Sequence, residues 1–258
     1  MTLDPLRPYW DFGDLDGSEE RFRALLGEGH PDSRRAEILT QLARVEGLRE
    51  RFDEADALVD EAAALSSKPV VCVRVDLERG RIRRSGGNRE AAFPLFESAF
   101  ATAVAAGEDW LAADAAHMCA LAAPDREGFL AWTRRGIELG EASEAAAYWV
   151  GPLLNNLGWE HFDAGEHAQA LDAFERALAA REREPEKLTE IAIARYAVGK
   201  ALLALGRPAD AAAQLERGVE QAPEPDHYLH EELAVAYAAL GREEDAREQA
   251  ETAERLRG

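Results

Sequence analysis

One internal spacing recurs along this 258-residue chain and constrains its fold more than any other feature. Gly80, Gly158 and Gly199 are each followed seven residues later by a second glycine, at Gly87, Gly165 and Gly206. Ala234 stands at the same distance from Gly241. Five residues beyond each of those second glycines comes an alanine: Ala92, Ala170, Ala211 and Ala246. An earlier unit uses weaker letters, Ala43, Glu50 and Ala55, and a degenerate one runs through Ala116, Ala123 and Gly128 with Pro124 in its turn. The first small residues follow one another at intervals of 37, 36, 42, 41 and 35. Self-similarity at a period of roughly 20–50 residues is the signature of a repeat array.

The letters have a physical reading as helix hairpins. A Gly or Ala on a first helix lets a second helix approach at the short end of the usual range of roughly 8–10 Å. A glycine in the turn supplies the left-handed conformation that ends a helix. Phe96, Phe174 and Leu215, four residues after their alanines, lie on the same face as those alanines and fill the contact. Pro208 suits the first turn of a second helix, where a missing N–H costs nothing. Gly158 is therefore expected at a close helix crossing. Pro94 is expected to kink or loosen its turn of helix, and Pro152 to bend or restart the helix beginning near 142.

Leu154-Asn155-Asn156-Leu157-Gly158-Trp159-Glu160-His161, followed by Gly165, Ala170 and Phe174, resembles the tetratricopeptide repeat (TPR) pattern W-x2-L-G-x2-Y…A-x3-F. The resemblance implies an all-α fold, a right-handed α-solenoid of about six TPR-like helix pairs. The register assigns residues 1–31 to an N-terminal capping segment and 32–258 to one continuous solenoid, with pairs near 32–66, 68–107, 109–140, 142–184, 186–221 and 224–257. Trp10, Phe12, Phe22, Leu25 and Leu26 are expected to cover the first repeat. The charged last helix, with Ala246, Ala250, Ala253 and Leu256 as its inward stripe, is expected to close the other end. So capped, the chain reads as a whole protein.

Charge and motif content narrow the functional classes. Thirty Lys+Arg against 50 Asp+Glu give a net charge of −20, which repels phosphate backbones and anionic membranes. No apolar leader or membrane-length stretch is present, and a cytoplasmic location is the expectation. Cys72 and Cys119 form no CxxC motif and read as small core residues. The motifs of serine hydrolases, zinc proteases, phosphate loops and dinucleotide sites are absent. His227 and His230 would make half a metal site, with no third ligand in sight. Cys119 lies two residues from His117, a spacing at which helical side chains do not face each other. The expectation is a non-enzyme that uses no cofactor or metal.

In proteins this chain resembles, the first helices line a concave face that takes a peptide or partner helix. Projecting that stripe gives a candidate peptide groove of Arg44, Arg74, Arg81, Trp110, His117, Asn155, Trp159, Tyr196 and Lys200. Glu37, Thr40, Leu77, Ala113, Phe162, Ile193, Tyr228 and Glu231 share the stripe. Arginine and aromatic residues are the common interface anchors. The cations point to an acidic or C-terminal peptide segment as partner, with no nucleic acid and no membrane. Asn156 alone matches the residue set by which one TPR subset grips chaperone tails. The main reading is a protein-interaction scaffold, monomeric or weakly dimeric; the alternative is a self-associating structural solenoid. Arg79 and Arg83 fall on normally apolar positions, which predicts an ion pair to Glu46 from the preceding unit.

Overall fold

The computed structural model describes residues 4–258. Among them stand thirteen α-helices and no strand. After α1 (Leu15–Leu26) come antiparallel pairs: α2 (Asp32–Leu48) with α3 (Phe52–Leu65), α4 (Pro69–Ser85) with α5 (Arg89–Ala106), and α6 (Asp109–Ala122) with α7 (Arg126–Ala142). A 3-10 turn at Ala147–Trp149 precedes α8 (Val150–Asp163) with α9 (His167–Arg181), α10 (Leu188–Ala204) with α11 (Pro208–Gln221), and α12 (His227–Ala239) with α13 (Glu243–Arg257). The chain is an all-α solenoid of helix pairs. Its contacts divide it into two compact units, one ending at Trp149 and one spanning Val150–Gly258.

The repeating letters do what their chemistry requires. A Cβ placed on Gly158 would lie 2.3 Å from the ring of Phe174, and one on Gly199 would lie 2.6 Å from Leu215 Cγ. Gly80 meets Phe96 in the same way at 2.3 Å. The four turn glycines have φ between 71° and 84°. Each is followed by a backbone N–H that reaches back to the last helical turn, as in Glu166 N to His161 O (2.8 Å) and Arg207 N to Leu202 O (2.9 Å). This is the Schellman closure of a helix. Glu50, the weak letter of the earliest unit, adopts φ 61°, and Arg51 N donates to Glu46 O at 2.9 Å. The same turn is therefore built there without glycine. The degenerate unit differs: Ala123 is extended (φ −55°, ψ 139°), and Asp125 caps α7 by accepting from Gly128 N at 2.8 Å.

α5 continues past Pro94 to Ala106. Several expectations need correction. The fourth pair begins at Val150 rather than near 142, which puts Pro152 in the first turn of α8, where proline is tolerated. On α13 only Ala246 and Ala253 are buried, while Ala250 and Leu256 are exposed. Glu46 does not pair with Arg79 or Arg83. Arg79 binds Asp60 and Arg83 binds Asp56, both at 2.6 Å, and Glu46 binds Arg49 and Arg51 at 3.3 and 3.2 Å. The reason is register. Asp56 and Asp60 sit one turn apart on α3, facing the two arginines one turn apart on α4, so the pairs form a ladder between neighbouring helices.

At the N-terminus, Leu6 and Phe22 are fully buried in a cluster with Ala36, Leu39, Leu42 and Val59. Trp10 packs against this cluster, whereas Phe12 is about half exposed. α1 lies on α2.

Candidate interaction surface

The projected stripe behaves differently in the two units. In the N-terminal unit most of it is buried: Thr40, Arg74, Leu77, Trp110 and Ala113 all lie in the interior. The polypeptide preceding α1 is what covers part of it. Asp4 Oδ1 and Oδ2 accept from Arg74 Nη2 and Nη1 at 2.6 and 3.1 Å, and Arg74 Nε lies 3.3 Å from Glu37. Trp10 Nε1 donates to Gln41 Oε1 at 2.8 Å. Arg7 lies over the rings of Phe12 (5.2 Å) and Tyr148 (5.5 Å). Trp110 is stacked on Tyr148 at 5.3 Å and meets the edge of Trp149 at 5.6 Å. Arg74 and Trp110 are thus core groups of this unit, not exposed groove contacts.

Arg81 is also engaged. Its Nη2 donates to both carboxylate oxygens of Asp114 (2.6 and 2.7 Å), and its Nη1 donates to Glu78. Burial alone would raise the pKa of Asp114, but the adjacent Arg81 and Arg44 guanidiniums hold its carboxyl below the usual range. Burial pushes the His117 imidazole down to about 4, overriding the attraction of Asp114. His117 lies 5.4 Å from the Trp149 ring. Burial likewise pushes the Cys119 thiol up, which favours its protonated form. Arg44 remains partly exposed, with its guanidinium over the rings of Trp10 and Phe12.

In the C-terminal unit the same stripe is more open: Tyr228 is exposed, and Trp159 and Tyr196 are partly exposed with one side packed on the core. Trp159 on α8, Tyr196 on α10 and Tyr228 on α12 form an aromatic ladder, with ring centroids 6.2 Å apart for the first step and 6.1 Å for the second. Trp159 is anchored edge-on to Phe174 at 5.0 Å and to Phe162 at 5.6 Å. Tyr228 and Val235 are 54% exposed and Ile193 is 50% exposed, so apolar surface flanks the ladder. Asn155 is half-buried one turn before Trp159. Lys200 lies 5.8 Å from the Tyr196 ring and is ion-paired with Glu232. His230 Nδ1 pairs with Gln249 at 2.7 Å, and the His227 ring lies tilted against Tyr228 at 3.9 Å. Among the described residues no group of three or more His, Cys, Asp or Glu is placed to hold a metal ion. Nor is any helix among them long and apolar enough to cross a membrane.

Sequence reasoning missed the groups that neutralise the stripe. Asp114 stands 33 residues after Arg81, about one repeat on, and Glu78 stands three before it. Both spacings signal a carboxylate beside that arginine. Asp4 stands 70 residues from Arg74, and no spacing rule links them.

An array of antiparallel helix pairs with close Gly–Phe crossings defines the class, and the comparisons agree. The C-terminal part of the chain carries tetratricopeptide repeats: tetratricopeptide repeat family models match residues 150–224 and 196–257. No relative among the curated proteins matches the sequence. Among solved structures, BtubC from P. vanneervenii is similar with a TM-score of 0.64 at 18% identity, over 86% of this chain and 95% of that one. A STAND-class signal transduction ATPase with a tetratricopeptide repeat sensor, from Pyrococcus horikoshii, gives 0.70 at 12% identity. That match covers 93% of this chain and only 39% of the ATPase. NprR in complex with its cognate peptide NprX gives 0.55 at 13% identity, over 96% of this chain and 76% of that one. At these identities the likeness concerns the fold.

Proposed function

We propose that this protein is a cytoplasmic, non-enzymatic interaction scaffold whose C-terminal unit captures a peptide segment or helix of a partner protein on the exposed stripe of α8, α10 and α12. One observation carries this reading: the ladder of Trp159, Tyr196 and Tyr228 over three successive first helices, flanked by exposed Ile193 and Val235. Aromatic side chains offer large contact area at low entropic cost, and exposed contiguous apolar surface marks interaction sites. NprR, a structural neighbour, was solved in complex with its cognate peptide NprX, which supports a peptide as the kind of ligand. Asn155 would hydrogen-bond the peptide backbone, since its amide both donates and accepts. Arg74, Arg81 and Lys200 each already hold a carboxylate. The partner segment is therefore read mainly by its apolar and aromatic side chains, and an acidic residue would bind by displacing Glu232 from Lys200.

Selection from a random peptide library tests this directly. Enriched peptides should share large apolar residues. Tyr228→Ala, an exposed position, should weaken their binding by roughly 2 kcal/mol, as an interface hot spot does. Peptides indifferent to Tyr228→Ala and Trp159→Ala would remove the ladder from the site. If light scattering instead shows a dimer that Tyr228→Ala dissolves, the ladder joins two copies of this chain.

A further inference from the structure

The N-terminal unit contains a second feature that the peptide reading does not use. Beside Arg44, a depression of about 190 Å³ opens between α2, α4 and α6. Its apolar walls are Leu48, Ile82, Met118 and Leu121. Three arginines line it, Arg44, Arg81 and Arg84, against one carboxylate, Glu78. Glu78 is already bound to Arg81, which also holds Asp114. What remains for Arg44 is a separation of 3.9 Å from Glu78 and the faces of two aromatic rings. Its Nε is buried with no hydrogen-bond partner. Burial, and then the Arg81 charge, lower the pKa of this guanidinium. Arg44 is thus a partly exposed cation with only a long ion pair to Glu78, and a bidentate carboxylate is the partner a guanidinium fork suits.

The same arginine bounds the depression on one side. Beyond it, a smaller cavity shares Arg44, Glu78 and Arg81 but is walled by Asp4, Arg7, Trp10 and Phe12. An extended chain following the first helices would run into these residues. A ligand lying in the depression meets Arg44 on this side. The volume exceeds the roughly 150 Å³ cavity that accepts benzene, so a single ring or short branched chain fits.

We propose that this depression is a binding site for a small free organic acid, its carboxylate held by Arg44 and its aryl or short acyl body lying on Leu48, Ile82, Met118 and Leu121. The site is separate from the aromatic ladder, and either reading can fail without the other. Titration calorimetry with phenylacetate and hexanoate, against the neutral isosteres phenylacetamide and hexanamide, tests it. The acids should bind at least tenfold more tightly than the amides, a ratio worth about 1.4 kcal/mol. Arg44→Gln should erase that ratio while circular dichroism stays helical. Leu48→Trp, at an exposed residue of the mouth, should weaken acid and amide alike. Tyr228→Ala should change neither. Acids that do not bind at millimolar concentration, or bind no better than the amides, overturn the proposal. So does an acid preference that survives Arg44→Gln, or binding confined to an N-acetylated dipeptide acid with none by the free acids.

Discussion

The two units are made from the same hairpin and filled in opposite ways. Among the described residues, nine buried polar or charged side chains lie before residue 150: Asp4, Ser18, Thr40, Gln41, Glu46, Arg74, Glu78, Asp114 and Thr133. After it there is one, Arg195, held by Glu182, Gln214 and Gln221. The stripe that faces outward as an aromatic ladder in the C-terminal unit is, in the N-terminal unit, a closed network of guanidiniums and carboxylates. The polypeptide preceding α1 and Tyr148 and Trp149 lie against it. The difference teaches that the repeat register fixes which residues line the face but not whether that face is free. Its availability depends on segments outside the repeats.

The sharpest way to break this comparison is to remove one carboxylate from the network. Asp114→Ala leaves Arg81 buried and facing Glu78 alone. It should destabilise the N-terminal unit by about 3–5 kcal/mol, the usual cost of breaking a buried pair. Urea unfolding followed by fluorescence can assign the loss, because four of the five tryptophans, Trp10, Trp110, Trp132 and Trp149, lie in that unit. A shift confined to Trp159 would contradict the assignment.

In the C-terminal unit the vulnerable point is steric. Gly158→Leu drives a side chain into Phe174 and should cost about 1–3 kcal/mol. Here the Trp159 signal should report the change. Unchanged unfolding would mean that the α8–α9 crossing is looser than drawn.

Acid should separate the units further. The His117 pKa is lowered to about 4, so between its ordinary value near 6.5 and that value the unfolded chain binds the extra proton. Stability is thus full above the unfolded pKa and falls as pH drops through this window. Asp114, also held low, acts in the same direction at lower pH. Allowing for the partial exposure of His117, about 1–2 kcal/mol is expected from it. His117→Gln should flatten the urea-midpoint profile of the N-terminal unit between pH 7 and 4.

The smallest expected effect is a gain. Glu50 carries a left-handed backbone at a site where four of its counterparts, Gly87, Gly165, Gly206 and Gly241, are glycines. Glu50→Gly should stabilise the α2–α3 turn by about 1 kcal/mol, measured as a higher urea midpoint.

Much of the fold was legible because its letters answer to backbone geometry. Gly158, Gly199 and Gly80 predicted close crossings that the structure contains. The pair ranges fell within about three residues of the helix bounds except at the start of the fourth, where the 3-10 turn Ala147–Trp149 precedes α8 and the first helix begins at Val150 rather than near 142. Glu50 was legible by position, not by residue type, since the Schellman turn can be built at some cost without glycine. The candidate surface was legible in part. Trp159, Tyr196 and Tyr228 were placed on one stripe, and the structure brings them into one ladder. Arg74 and Trp110 fell on the equivalent stripe but are buried, because Asp4 and Tyr148 come from outside the periodic pattern. The Glu46 pairing failed for a simpler reason. Two acids on the adjacent helix were better aligned with Arg79 and Arg83.

The Arg81–Asp114 and Arg74–Asp4 pairs also carry a consequence for heating. Stripping water from charged groups costs less as temperature rises, whereas the gain from burying apolar surface levels off. A unit built around such pairs gains ground, on warming, over one built around Phe174 and Leu215. Which of the two gives way first is then a property of the temperature as well as of the sequence, and the order observed in urea at 25 °C need not be the order observed in a calorimeter.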